Sequence, residues 1–245
     1  MRNTFDRFNG RHQDYQAARP SYAQEFLDWL GELYAPPERY TAADIGSGTG
    51  KLSAQLLAAG FRVCGVEPNP DMRGTAEALL GGHPRFSSSN GTDHDTGLPD
   101  RSVDMVAAAQ AFHWFDGPAF ARECRRILRP GGRAVLVWNV RGSAPVNQAL
   151  AQVFREHCPS FHGFTGGMGE DDPRIRDFFG GAYEKRRFPN PLTLDRDRFL
   201  RRCFSSSYAL REGDADYKAF RAALEALFDT FASGGQLIQP NETVA

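Results

Sequence analysis

The sequence predicts an α/β protein built on a doubly wound, mostly parallel sheet. Short apolar runs alternate with amphipathic stretches through the middle of the chain, a glycine-rich turn follows the first run, and an acid closes the second. The chain has 245 residues, 41% hydrophobic and 24% charged, with a formal net charge of −1. It is long enough to bury its own core, and its composition excludes fibrous and disordered classes. The balanced charge lacks the positive field of a phosphate-backbone binder, so no nucleic-acid partner is expected.

The elements follow in order. From Met1 to about Glu38 the chain reads as an appended N-terminal helical segment, with Tyr22, Phe26, Trp29, Leu30 and Leu33 on one helix face before Ala35-Pro36-Pro37. Strands are predicted at Tyr40–Ile45, Phe61–Val66, Arg85–Ser88, Val103–Ala108 and Arg133–Trp138. Helices are predicted at Gly50–Ala59, Pro70–Leu80 and Pro118–Leu128, the last stopped by Arg129-Pro130-Gly131-Gly132. Ser143–Gly181 is rich in Gly, Pro, His and Phe and is expected to form an irregular loop or cap. A strand at Tyr183–Phe188, helices at Arg196–Phe204 and Tyr217–Phe231, and a short strand near Leu237–Val244 complete the chain. The expected organisation is a single domain, 1–245, made of a lid (1–38), a core (39–142), an insertion (143–182) and C-terminal elements (183–245).

Cys64, Cys124, Cys158 and Cys203 have no metal-site spacing and read as reduced thiols. The polar start is unlike a signal peptide, and no apolar run approaches the ~18 residues needed to span a bilayer. A cytoplasmic protein without membrane contact is expected.

Asp44-Ile45-Gly46-Ser47-Gly48-Thr49-Gly50-Lys51-Leu52 places three glycines at the first strand-to-helix turn, where a ligand can lie against the backbone. A phosphate-binding P-loop would need Gly at 45 and Ser or Thr at 52, and a dinucleotide fingerprint would need Gly at 51. Neither spelling is present. Glu67, at the tip of the second strand, can accept hydrogen bonds from ribose hydroxyls and would repel a 2′-phosphate.

These residues, together with Gly97-Leu98-Pro99-Asp100-Arg101-Ser102-Val103-Asp104 and Gln110-Ala111-Phe112-His113-Trp114-Phe115, resemble a class I S-adenosylmethionine-dependent methyltransferase. More narrowly they resemble the type 11 small-molecule branch that includes trans-aconitate methyltransferase-like proteins, from about Tyr15 to Asn139. The resemblance implies a Rossmann-like methyltransferase fold with a seven-stranded sheet, an N-terminal lid and an insertion after strand five. It implies S-adenosylmethionine as cofactor and S-adenosylhomocysteine as product.

By that resemblance Gly46, Ser47, Gly48 and Gly50 pass under the methionine part of the cofactor, Asp44 lies near its amino group, and Glu67 with Pro68 meets the ribose. Asp93 is expected at the adenine amine, with His94 as the alternative. Gln110 neighbours the methionyl group, and Tyr15 and Arg19 close over the cofactor. His113, Trp114 and Asn139 are the substrate-side candidates, with His113 also the candidate base.

Methyl transfer requires alignment and exclusion of water, so no nucleophile triad is needed. The strand ends offer Gln110 and Asn139 where a magnesium site would want carboxylates, so no metal is expected. Lys185–Arg202 carries seven basic residues and reads first as a solvated helix face; the alternative is that one or two of its arginines point into the cleft and orient an anionic acceptor, with small carboxylic acids the first to screen. The expected partner is a small molecule and the expected state a monomer or homodimer. A non-catalytic cofactor-binding paralogue and an NAD-dependent oxidoreductase remain alternatives.

Overall fold

A computed structural model of the chain describes residues 20–164, 171–206 and 208–245. Tyr15 and Arg19 lie outside the described residues. The N-terminal helix α1 (Gln24–Leu33) buries Phe26, Leu27 and Leu30. The order that follows is β1 (Thr41–Ile45), α2 (Lys51–Ala58), β2 (Arg62–Val66), α3 (Pro70–Leu80), β3 (Phe86–Ser89), β4 (Val103–Ala109), α4 (Gly117–Ile127) and β5 (Leu128–Arg141). Next come α5 (Pro145–His157), α6 (Pro173–Phe178), β6 (Arg187–Pro189), β7 (Leu192–Leu194), α7 (Arg196–Phe204), α8 (Tyr217–Phe231), β8 (Leu237–Gln239) and β9 (Asn241–Val244).

The seven-stranded sheet runs β3-β2-β1-β4-β5-β9-β6, while β7 and β8 form a separate two-stranded sheet. Strands β1 to β5 are mutually parallel, and β9 enters antiparallel to both β5 and β6. The strand order reverses beside β1, so the carboxyl tips of β1 and β4 open a crevice of the kind in which doubly wound sheets bind ligands.

Alternating residues of the strands feed two apolar layers. Ala43, Ile45, Val106 and Ala108 pack with Phe120, Ile127 and Phe178 on one face. On the other, Ala42, Val63, Met105 and Ala107 pack with Phe26, Leu30, Leu56 and Phe61. This period-2 division is what a sheet buried on both faces requires. Three of the helices, α3, α4 and α7, start where a short polar side chain caps them: Asn69 accepts from the amides of Asp71 and Met72, Asp116 from that of Ala119, and Asp195 from that of Arg198.

Two expectations are corrected. Ser143–Gly181 is not an irregular loop throughout: α5 and α6 lie within it, and Val146, Leu150 and Phe154 of α5 pack with Phe199, Phe220, Leu224 and Leu237 in a third apolar cluster. The segment near Leu237–Val244 divides into β8 and β9, which belong to different sheets. Helix α4 stops where expected, and the expected turn at Arg129–Gly132 interrupts the pairing of β5. Leu128 already pairs with Val103, and the register resumes at Arg133 opposite Met105, so 129–132 are looped out within one strand.

Candidate functional site

At the carboxyl tips of β1, β2, β4 and β5 lies a cavity of about 220 Å³. The glycine turn forms one wall. The amides of Gly46 and Ser47 donate to the carbonyl of Val66 at 2.8 and 3.1 Å, and that of Gly50 to the carbonyl of Ser47 at 2.9 Å. The amide of Gly48 donates to Oε2 of Glu67 at 2.9 Å. These four amides are therefore used within the protein and do not form a phosphate cradle. The turn instead allows close approach: Gly46 has φ +68°, and a Cβ built on it would lie 2.8 Å from Cβ of Ala111.

Glu67 is buried, and Oε1 accepts from the Asn69 amide at 2.8 Å. Burial raises its pKa, against the opposing hydrogen bonds from Asn69 and Gly48 and the charge of Arg73. Asp44 is 1% exposed. Its Oδ2 accepts from the Ser53 hydroxyl at 2.7 Å, whereas its buried Oδ1 has no hydrogen-bond partner among the described residues. Burial lifts its pKa to about 6, with Ser53 pulling it down and the neighbouring Glu67 charge pushing it up. An unsatisfied buried carboxylate oxygen at a cavity wall suits a cationic hydrogen-bond donor from a ligand.

Of the predicted site residues, Asp44, Gly46, Ser47, Gly48, Glu67, Pro68, Asp93, Gln110, Trp114 and Asn139 line this cavity. Three others stand apart from its lining. Gly50, at φ +82°, caps α2 and faces α3, where a Cβ would meet Leu80 at 2.8 Å. His94 is exposed, its Nδ1 lying 3.0 Å from Oδ1 of Asp93. His113 sits in a short 3-10 turn, Phe112–Trp114, with its ring 4.7 Å from that of Trp114.

Gln110 holds φ +55°, an unfavourable backbone conformation for a residue with a side chain, and its Nε2 donates to the carbonyl of Asn139 at 3.2 Å. The side chain of Asn139 ties the start of the described chain to the sheet. Its Nδ2 donates to the carbonyls of Pro20 and Ser21 at 3.3 and 3.1 Å, and its Oδ1 accepts from Thr243 and Asn190. Thr243 in turn accepts from the Ala23 amide at 2.8 Å. Pro20 and Tyr22 are thereby held against the cavity.

Several lining residues went unpredicted, among them Thr92, Arg141, Phe164 and Tyr208. Arg141 was legible in principle, since it lies two residues beyond Asn139 on the same strand face. Within the basic segment Lys185–Arg202, Arg202 lines the cavity. Lys185, Arg186 and Arg187 pair with Asp171, Glu184 and Glu242 at 2.7, 2.6 and 2.8 Å, and Arg196 and Arg201 pair with Asp229 and Asp197. Among the described residues no three His, Cys, Asp or Glu side chains gather as metal ligands, and no helix is long and apolar enough to cross a membrane.

The architecture is the α/β Rossmann-like fold of class I methyltransferases. Residues 43–136 match a family described as a methyltransferase domain. A Mycobacterium tuberculosis protein described as an uncharacterised methyltransferase is 42% identical over 127 residues, 52% of this chain and 49% of its own. A Schizosaccharomyces pombe protein described in the same way is 32% identical over 147 residues, 59% of this chain and 57% of its own. The chain thus spans about half the length of the curated relatives it matches. Among solved structures, an Anaeromyxobacter dehalogenans protein provisionally assigned as a type II methyltransferase superposes with a TM-score of 0.64 at 26% identity, covering 92% of this chain and 94% of that one. The YcgJ protein of Bacillus subtilis shares the fold, with a TM-score of 0.56 at 18% identity and coverage of 90% and 95%.

Proposed function

We propose that the protein is an S-adenosylmethionine-dependent methyltransferase acting on a small molecule. The observation that carries this reading is the cavity-facing pair of buried acids, Asp44 with its unsatisfied Oδ1 and Glu67 at the tip of β2. Both fit the cofactor that the fold family implies. Oδ1 of Asp44 would accept from its amino group. Each oxygen of Glu67 accepts one backbone amide and keeps lone-pair capacity for the ribose hydroxyls. Asp93, whose Oδ2 accepts from the Asp116 amide at 3.0 Å, would face the adenine amine.

S-adenosylmethionine supplies an electrophilic methyl group on a sulfonium sulfur. The protein has to position the two reactants and keep water out. Tyr22, Trp114 and Phe115 supply aromatic wall for that purpose, and aromatic faces suit a cationic centre. Gln110, tethered to the backbone of Asn139, would set the floor beneath the methionyl group. His113 stands apart from the cavity lining, so no proton-transfer step is assigned to it. Tyr15 and Arg19 keep their proposed roles over the cofactor by family resemblance.

The turn's consumed amides and Lys51 in place of a third glycine argue against a dinucleotide. The test is calorimetric titration with S-adenosylmethionine, S-adenosylhomocysteine and NADH, on the wild type and on Glu67→Ala. The first two should bind and weaken by at least about tenfold in the variant, the loss of one charge-assisted contact. Binding of NADH alone would overturn the reading.

A further inference from the structure

Strand β9 lies between β5 and β6, but it covers β5 only from Trp138, opposite Val244, to Arg141, opposite Asn241. Ala245 still exchanges backbone hydrogen bonds with Arg186 at 2.8 and 3.0 Å. Past that point the same two flanks continue with no strand between them among the described residues. Val135 and Leu136 of β5 on one side, and residues 182–185 leading into β6 on the other, line a second cavity of about 320 Å³.

The edge of β5 that faces this cavity carries unused backbone groups. The Gln110 amide donates to the Val137 carbonyl at 2.8 Å, so Val137 directs its peptide groups toward β4. Alternation along the strand turns those of Ala134 and Leu136 the other way, toward the cavity. Among the described residues neither has a strand partner on that side. Leu136 is 4% exposed, and buried backbone N–H and C=O groups are as a rule paired. Apolar side chains close the gap on both faces of the sheet. Trp29 of α1 packs in the layer of Val135, and Ile175 and Phe179 pack in that of Leu136. A strand inserted here would be covered on both faces and so would carry apolar side chains at successive positions. Arg133 lines the end of the cavity remote from β9, is exposed, and makes no ion pair among the described residues.

We propose that this slot is a docking site for the C-terminal peptide of a partner protein, four apolar residues ending in a free carboxylate. The peptide adds as a strand in line with β9 and antiparallel to β5, exchanging backbone bonds with Leu136 and Ala134. Because β9 runs along β5 from Arg141 toward Trp138, a strand continuing in that direction brings its C-terminus to Arg133. Backbone pairing supplies affinity, and the two apolar faces with the arginine supply selectivity. The slot shares no lining residue with the cavity at the tips of β1 and β4, so it stands apart from the methyltransferase reading.

The experiment is fluorescence anisotropy on the full chain with the peptide fluorescein-Gly-Gly-Leu-Val-Leu-Ala bearing a free carboxylate. It should bind saturably, with or without S-adenosylhomocysteine. Methylating both Leu nitrogens keeps the apolar area but removes the donors facing Leu136 and Ala134, and should weaken binding at least about tenfold. Amidating the C-terminus should weaken it about threefold. Arg133→Gln should weaken the parent peptide by the same factor and leave the amidated one unchanged; Arg133 is exposed, so the variant keeps its fold. The amides of Ala134 and Leu136 should exchange with deuterium more slowly in the complex.

The proposal is overturned if the parent peptide does not bind, or if the methylated peptide binds as tightly, which would make the slot a general apolar pocket. It is also overturned if neither amidation nor Arg133→Gln changes the affinity. Binding of dodecanoate in place of the peptide would assign the cavity to a lipid chain and overturn it as well.

Discussion

The Ser53 hydroxyl donates to Oδ2 of Asp44 at 2.7 Å and so occupies one carboxylate oxygen, while the other is left buried at the cavity wall. With a folded-state pKa of about 6 against the usual 3.8, Asp44 ionises more readily in the unfolded chain. Its contribution to stability is therefore greatest below pH ~4 and declines as pH rises to ~6. A cationic ligand group would reverse that penalty. S-adenosylhomocysteine affinity is expected to rise with pH by up to about tenfold per unit below pH ~6 and to level off above it. Calorimetry from pH 5 to 8 measures this, and Asp44→Asn should flatten the profile, weaken binding and raise the melting temperature of the unliganded protein at pH 7.

Gly46 tests the close approach at the turn. In Gly46→Ala the new methyl would meet Ala111 Cβ at 2.8 Å and Phe115 Cζ at 3.2 Å, at a backbone φ of +68°. Strain and overpacking together should cost about 1–3 kcal/mol and displace the wall under the ligand. Thermal unfolding should shift downward, and ligand affinity should fall by more than the stability loss explains.

Glu123 governs the acid limb of stability. Burial works to raise its pKa, but hydrogen bonds from Arg126 and from the hydroxyl and amide of Thr96, with the charge of Arg126, overcome it and hold the pKa down at about 2. A depressed carboxylate stabilises the fold above its unfolded pKa, and that contribution is lost as pH falls from ~4.5 toward 2. Glu123→Gln should cost about 2–3 kcal/mol at pH 7 and flatten the pH dependence of urea unfolding between pH 5 and 2.

All four cysteines are free and buried. Burial raises the pKa of each thiol, that of Cys203 to about 12 despite the charges of Arg141 and Arg202. Thiolate is the reactive form, so the native protein should resist a disulfide-exchange reagent at pH 8 and react at four thiols once unfolded in guanidinium.

Much of the parallel half was legible because its signals are local. Short apolar runs mark β1, β2 and β4, and the spelling from Asp44 to Gly50 with Glu67 marks the strand tips where the cavity opens. Helix α5 was readable but passed over: Pro145 begins it, and Val146, Leu150 and Phe154 recur at helical spacing beneath a misleading Gly, Pro and Phe composition. The basic end of the cavity was not readable in full. Arg141 and Arg202 reach one cavity because β9 runs back along β5 and Gln239 anchors α7, contacts made between distant segments. Nor does spelling tell that His113 faces Trp114, since the turn after β4 decides which side chain the cavity receives.

Thr243 stands in β9, fully buried, and joins Ala23 to Asn139. On the ribosome β9 emerges about 100 residues after β5 ends at Arg141. At roughly 5–20 residues per second, the parallel strands have on the order of 5–20 s to pair before the residue that fastens the cavity's N-terminal wall is made. A nascent chain can thus acquire most of its sheet while its ligand pocket is still missing a clasp. Full ligand competence is a late checkpoint of synthesis rather than an early one.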